Sequence, residues 1–146
     1  MITKRTSKPF SAKVTLGLER GYTQTKIDKK EITRCIQTYQ KRLITEKKFY
    51  LSVSLSECQI VLGDHIEPHL NLNFINYPRF PQEEQILKTE IENLTQHLMK
   101  EFDQNRVVVE YMDETVMFEM GEEVDARIKP SLTSNQSETL TDFQSK

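Results

Sequence analysis

Residues 69–74 read His69-Leu70-Asn71-Leu72-Asn73-Phe74, and residues 13–18 read Lys13-Val14-Thr15-Leu16-Gly17-Leu18. Both stretches alternate, the period of a strand with one buried face. Leu70 follows Val14 by 56 positions, and Leu72 follows Leu16 by the same interval. The offset recurs further along: Val107, Val109 and Tyr111 stand 56 positions after Leu51, Val53 and Leu55, and Val116 and Phe118 stand 56 after Ile60 and Leu62. Two helical stripes lie between these strands. The first is Ile32, Cys35, Ile36, Tyr39 and Leu43; the second is Ile86, Leu87, Ile91, Leu94, Leu98 and Phe102. Asp28 and Glu31 form a capping-box pattern ahead of the first, with Ile27 placed to staple onto Ile32. Pro81 suits the first turn of the second.

The expected fold is therefore α+β. Two pseudo-symmetric β-α-β-β units, residues 12–63 and 68–121, form one four-stranded sheet with two helices on one face. A crossover in each unit makes its two long strands parallel. The other reading of the same pattern is a ferredoxin-like βαββαβ domain whose symmetry is accidental. Residues 26–48 carry eight Lys/Arg and three Asp/Glu (8 − 3 = +5), and residues 81–103 carry two Lys and six Asp/Glu (2 − 6 = −4). Opposite charge favours the two helices lying side by side. The sheet face away from them presents Thr15, Gly17, Ser52, Ser54, Asn71 and Asn73. That face is either solvated or lines the interior of an oligomer.

Around this domain, residues 1–11 carry Lys4, Arg5 and Lys8 without an acid and read as a mobile basic arm. Residues 122–146 are rich in Ser, Thr and Gln and read as a disordered tail. Net charge is −2 over 146 residues, with no global drive toward nucleic acid or membrane. No apolar run approaches a membrane span, and Met1 to Phe10 lack a secretory signal, so a cytoplasmic home is expected. Cys35 and Cys58 are the only cysteines, expected as free thiols, Cys35 as a small core residue. Walker, GxGxxG, GxSxG, HExxH and CxxC motifs are absent, and no cofactor is expected.

Asn76-Tyr77-Pro78-Arg79 follows the second unit's first strand, and Asp113, Met117 and Phe118 fall in its closing hairpin. With the duplicated plan, these residues resemble the tautomerase superfamily, specifically its macrophage migration inhibitory factor branch. That resemblance implies a homotrimer, with a pocket near the first strand and an N-terminal proline acting as general base. Here residue 2 is Ile, and Lys13 and His69 occupy the matching positions. The expected function is a divergent tautomerase-like oligomeric module that binds a partner or a small ligand, without proline-based catalysis. The alternative is a tautomerase or isomerase with Lys13 or His69 as base and Arg79, beside Tyr77, as clamp for a small carboxylate ligand.

Other groups have plainer readings. His65, Glu67 and His69 form H-x-E-x-H, whose alternate residues point the same way on an extended chain. Pro68 interrupts the run, which reads as a polar linker rather than a metal site. Lys26, Lys29, Lys30 and Arg34 lack the interleaved aromatics of a nucleic-acid surface. His97 reads as a surface residue, and Glu119, Glu122, Glu123 and Asp125 as a solvated run.

Overall fold

The computed structural model describes residues 1–122, and the tail expected over residues 122–146 lies, but for its first residue, outside them. Its elements, in chain order, are β1 (Ser11–Gly17), α1 (Lys29–Lys47), β2 (Ser54–Leu62), β3 (His65–Ile75), α2 (Glu84–Glu101), β4 (Arg106–Tyr111) and β5 (Thr115–Glu119). The α+β class holds. The four-stranded sheet of two pseudo-symmetric units does not: the sheet has five strands in the order β2-β3-β1-β4-β5, every neighbouring pair antiparallel. The first six elements follow the ferredoxin-like βαββαβ plan.

The two repeated stretches explain the change. They pair with each other, Leu16 opposite Leu70, Val14 opposite Leu72 and Ala12 opposite Phe74. All six side chains are buried on one face. β1 and β2 do run the same way, as do β3 and β4, but never side by side, because β3 and β1 lie between them. The hydrophobic pattern would allow a turn at Ser56-Glu57, between Leu55 and Ile60, but β2 runs straight through to Leu62. The turn comes at Gly63, whose φ of 59° suits glycine. Residues 65–69 are therefore strand, not linker. In the second half the matching stretch does turn, as the Tyr111 N–H donates to the Glu114 carbonyl at 2.8 Å.

Both helices contribute to one core with β1, β3 and β4. Asp28 caps α1 by accepting from the Lys30 N–H at 2.9 Å, and Ile27 and Ile32 are both buried. Lys48 ends α1 in the left-handed conformation. α2 starts at Glu84, later than Pro81 suggests. Lys47 of α1 donates to Glu90 of α2 at 2.8 Å, joining the basic helix to the acidic one. Leu94 is fully buried between the layers. Leu94→Ala should destabilise the fold by about 2–5 kcal/mol in urea unfolding, and a loss below ~0.5 kcal/mol would contradict that packing.

Residues 1–10 carry no helix or strand, yet Phe10 is buried against Tyr111 with ring centroids 6.2 Å apart. Beside it, Lys88 donates to Asp113 at 3.1 Å and lies over the Tyr111 ring, whose hydroxyl donates to Glu92 at 2.7 Å. The Lys88 hydrogen bond holds the Asp113 carboxyl below its ordinary value of 3.8, and the same contact raises Lys88 above 10.5. A lowered carboxylate stabilises the fold above its unfolded value, and that stabilisation is lost as pH falls through the folded one. The raised lysine loses its share as pH climbs past 10.5. Lys88→Met should therefore flatten the decline in Tm below about pH 4. An unchanged acid slope would remove the pair from that decline.

Candidate functional site

On a strand, alternate residues face opposite sides, and cross-strand partners share a face. The face away from the core therefore carries Lys13, Thr15 and Gly17 of β1, with His65, Glu67, His69, Asn71 and Asn73 of β3. Ser54, Ser56, Cys58, Ile60 and Leu62 of β2 stand opposite the β3 set. Neither helix packs on this face. Its middle is nevertheless only partly exposed, because the polar groups are tied to one another.

Glu67 is the centre of the band. His65 Nε2 lies 2.7 Å from Glu67 Oε1, and His69 Nε2 lies 4.0 Å from Oε2. The side chains of His65, Glu67 and His69 are 19%, 18% and 16% exposed. A carboxylate so enclosed and flanked by two imidazoles is preorganised to meet a cation or a pair of hydroxyls. Next along the strand, the Thr15 hydroxyl donates to Asn71 Oδ1 at 3.1 Å, and the Cys58 thiol approaches the same oxygen at 3.5 Å.

The far edge of the band is set by Gln104, which is buried. Its Oε1 accepts from the Gly17 N–H at 3.0 Å, and its Nε2 donates to the carbonyls of Glu19 at 2.8 Å and Phe102 at 3.0 Å. A Cβ on Gly17 would stand 2.6 Å from Gln104 Oε1 and 3.6 Å from His69 Nε2. Glycine at position 17 thus lets the amide reach the strand beside His69.

The four site residues expected from the sequence are not brought together. Lys13 is half-exposed and paired with Glu110 of β4 at 3.3 Å. It stands opposite Asn73, four residues along β3 from His69, or about 13 Å at ~3.3 Å per residue. Tyr77 and Arg79 lie beyond the far end of β3, in the loop before α2. His69 alone belongs to the Glu67 band. No group of three His, Cys, Asp or Glu side chains among the described residues could hold a metal ion. Cys35 and Cys58 are free thiols, and burial pushes Cys35 above its ordinary value.

No family model and no curated protein matches the chain. Two solved structures do. A phage SAM lyase in the apo state superposes with a TM-score of 0.66 at 17% identity, covering 85% of this chain and 100% of that one. A phage SAM lyase in complex with S-methyl-5'-thioadenosine gives 0.60 at 16%, covering 84% and 100%. The fold is similar to that of phage SAM lyase. At this identity the likeness establishes shape alone.

The tautomerase resemblance falls with this result. Its Asn-Tyr-Pro-Arg segment is a local turn, and the sheet it presupposes has a different strand order. The tautomerase-like binding module, and the alternative that makes Lys13 or His69 a tautomerase base, fall with it. What the sequence reading missed was the weight of Glu67, Asn71, Thr15 and Gln104. Alternation from His65 through Asn73 was the available signal, hidden by Pro68. Nothing local marked Gln104.

Proposed function

We propose that this chain cleaves S-adenosylmethionine (SAM) and releases S-methyl-5'-thioadenosine, holding the amino-acid end of the substrate at Glu67. One observation carries the reading: the chain shares its fold with a SAM lyase over that protein's full length, and one of the two structures holds the thioadenosine. The Glu67 band supplies a chemically suitable place.

The product defines the bond. S-methyl-5'-thioadenosine keeps the methyl group and the ribose 5'-carbon on sulfur, so the bond from sulfur to Cγ of the methionine breaks. Its electron pair goes to sulfur, which becomes a neutral thioether. The substrate's own α-carboxylate reaches Cγ through a five-membered ring and forms the C–O bond as C–S breaks. Homoserine lactone is the other product, and no water, oxidant or proton acceptor takes part.

This step consumes one positive and one negative charge. The transition state is less charged than the substrate, so a carboxylate against the sulfonium would stabilise the ground state more. Glu67 serves better at the α-ammonium group, whose charge is unchanged by the reaction. Gripping that group fixes the neighbouring carboxylate close to Cγ and converts binding into orientation. His65, at 2.7 Å, fixes the Glu67 carboxylate.

The test is chromatography of SAM incubated with the purified chain. S-methyl-5'-thioadenosine should accumulate in proportion to enzyme and time. Unchanged SAM beyond its spontaneous decay, or S-adenosylhomocysteine as product, would defeat the reading.

Self-association belongs to the same proposal. Residues 59–62 and 65–68 form an arm that projects past the end of β1, with Ile60, Val61, Leu62 and Ile66 exposed. Among the described residues β2 is also an edge strand, with no strand paired to its outer side. A homo-oligomer covers both. Light scattering after size exclusion should give a multiple of 17.2 kDa, and Val61→Lys with Leu62→Lys should give the monomer. A wild-type monomer at tens of micromolar would reject the assembly. No helix among the described residues is long and apolar enough to cross a membrane. The proposed location is the cytoplasm, in keeping with the two free thiols.

A further inference from the structure

The Tyr77-Pro78-Arg79-Phe80 turn takes no part in the Glu67 band. Ile75, at the end of β3, is eight residues from Glu67, about 26 Å at ~3.3 Å per residue. The turn is nevertheless a built structure. Asn76 spans it with two hydrogen bonds, donating from Nδ2 to the Gln82 carbonyl at 2.8 Å and accepting at Oδ1 from the Gln82 N–H at 3.0 Å. The Phe80 N–H donates to the Tyr77 carbonyl at 3.0 Å, and Pro78 and Pro81 restrict the backbone further.

What this rigid turn displays is aromatic. Phe80 stacks on Tyr50, which precedes β2, with centroids 4.8 Å apart and planes 25° from parallel. Tyr77 also meets Phe80, with centroids 5.9 Å apart and planes tilted by 39°. The three rings form a ladder, Tyr50–Phe80–Tyr77, drawn from two separate connections of the fold. Each remains about half-exposed, at 45%, 43% and 47%. Three half-exposed rings, two of them on the clamped loop, form an aromatic patch open to a ligand. Arg79 projects from the same turn, and it has no hydrogen bond or ion pair among the described residues.

The geometry points to a surface site for a nucleoside monophosphate, separate from the Glu67 band. The base extends the aromatic ladder at an outer ring face, where stacking accepts any planar base. The phosphate meets the unpaired Arg79 guanidinium in a charge-assisted contact. Because the loop is already ordered, little conformational freedom is lost on binding. A single base with a single phosphate fits this surface better than a polyanion. The whole chain carries a net charge of −2, which does not attract a polyanion.

The experiment is a ¹H–¹⁵N NMR titration of the full chain with AMP, adenosine, ribose 5-phosphate and an eight-residue oligodeoxyadenylate. AMP should shift the amides of residues 50 and 76–82, and should bind about tenfold tighter than adenosine. Arg79→Gln should reduce AMP to the adenosine level. Tyr77→Ala and Tyr50→Ala should weaken both ligands, while Tyr77→Phe keeps both. Glu67→Gln should leave all these affinities unchanged, so failure here and failure of the lyase reading are separable. The proposal is overturned if AMP fails to saturate below 10 mM or shifts only the amides around Thr15, His69 and Asn71. It is also overturned if the oligonucleotide binds far more tightly than AMP, which would assign the surface to single-stranded nucleic acid.

Discussion

Glu67→Gln is expected to lower kcat/KM for S-methyl-5'-thioadenosine release by roughly 10- to 150-fold. The change keeps the size of the side chain and removes its charge. A hydrogen bond to a charged group contributes about 1.5–3 kcal/mol, which converts to that range. Most of the effect should appear in KM, because the α-ammonium group has the same charge in substrate and transition state. A smaller part should appear in kcat, since a loosened ammonium leaves the carboxylate less well aimed at Cγ. S-methyl-5'-thioadenosine has no ammonium group, so its inhibition constant should hardly move. That contrast separates a lost contact from a damaged fold. Equal loss of thioadenosine binding would place Glu67 elsewhere on the substrate, and an unchanged kcat/KM would remove it from the site.

Gln104→Ala should be among the most destabilising substitutions, at about 3 kcal/mol or more. The side chain is buried and makes three hydrogen bonds, to Gly17, Glu19 and Phe102. Alanine leaves an N–H and two carbonyls short of a partner, and each such loss costs about 1–3 kcal/mol if water does not replace it. Against a total stability of about 5–15 kcal/mol, this is a large fraction. Gly17→Ala attacks the same joint from the other side, since its Cβ would meet Gln104 Oε1 at 2.6 Å. The double substitution should cost much less than the sum of the two, because both break one contact. Urea unfolding of the three variants measures this. Additive losses would show that Gly17 and Gln104 act independently.

Most of the elements were legible, but the strand expected over Leu51, Val53 and Leu55 was not, since β2 begins only at Ser54. The β1 and β3 alternation, both helical stripes and the Asp28 cap follow from local spacing, and the structure places them within a few residues. The order of strands was not. A 56-residue period says that Val14 and Leu70 are equivalent, but not that Leu16 and Leu70 stand opposite each other in antiparallel pairing. The period also ran past a real difference. Ser56-Glu57 continues as strand, whereas Asp113-Glu114 turns, and single-residue turn chemistry decides between them. The site was hidden for a related reason. Pro68 argued against a strand, yet its carbonyl accepts from the Leu18 N–H at 3.0 Å, so the chain keeps its extended course through His65 to His69. Gln104 joins partners up to 87 positions away, and no local pattern carries such information.

The proposed reaction breaks the bond from sulfur to Cγ of SAM by intramolecular substitution. Proton NMR of SAM mixed with the purified chain tests it most directly. The S-methyl resonance of the thioadenosine and the resonances of homoserine lactone should grow together in equal amounts while SAM disappears. SAM left intact over hours at stoichiometric protein, or thioadenosine formed with 2-amino-3-butenoate in place of the lactone, would contradict it.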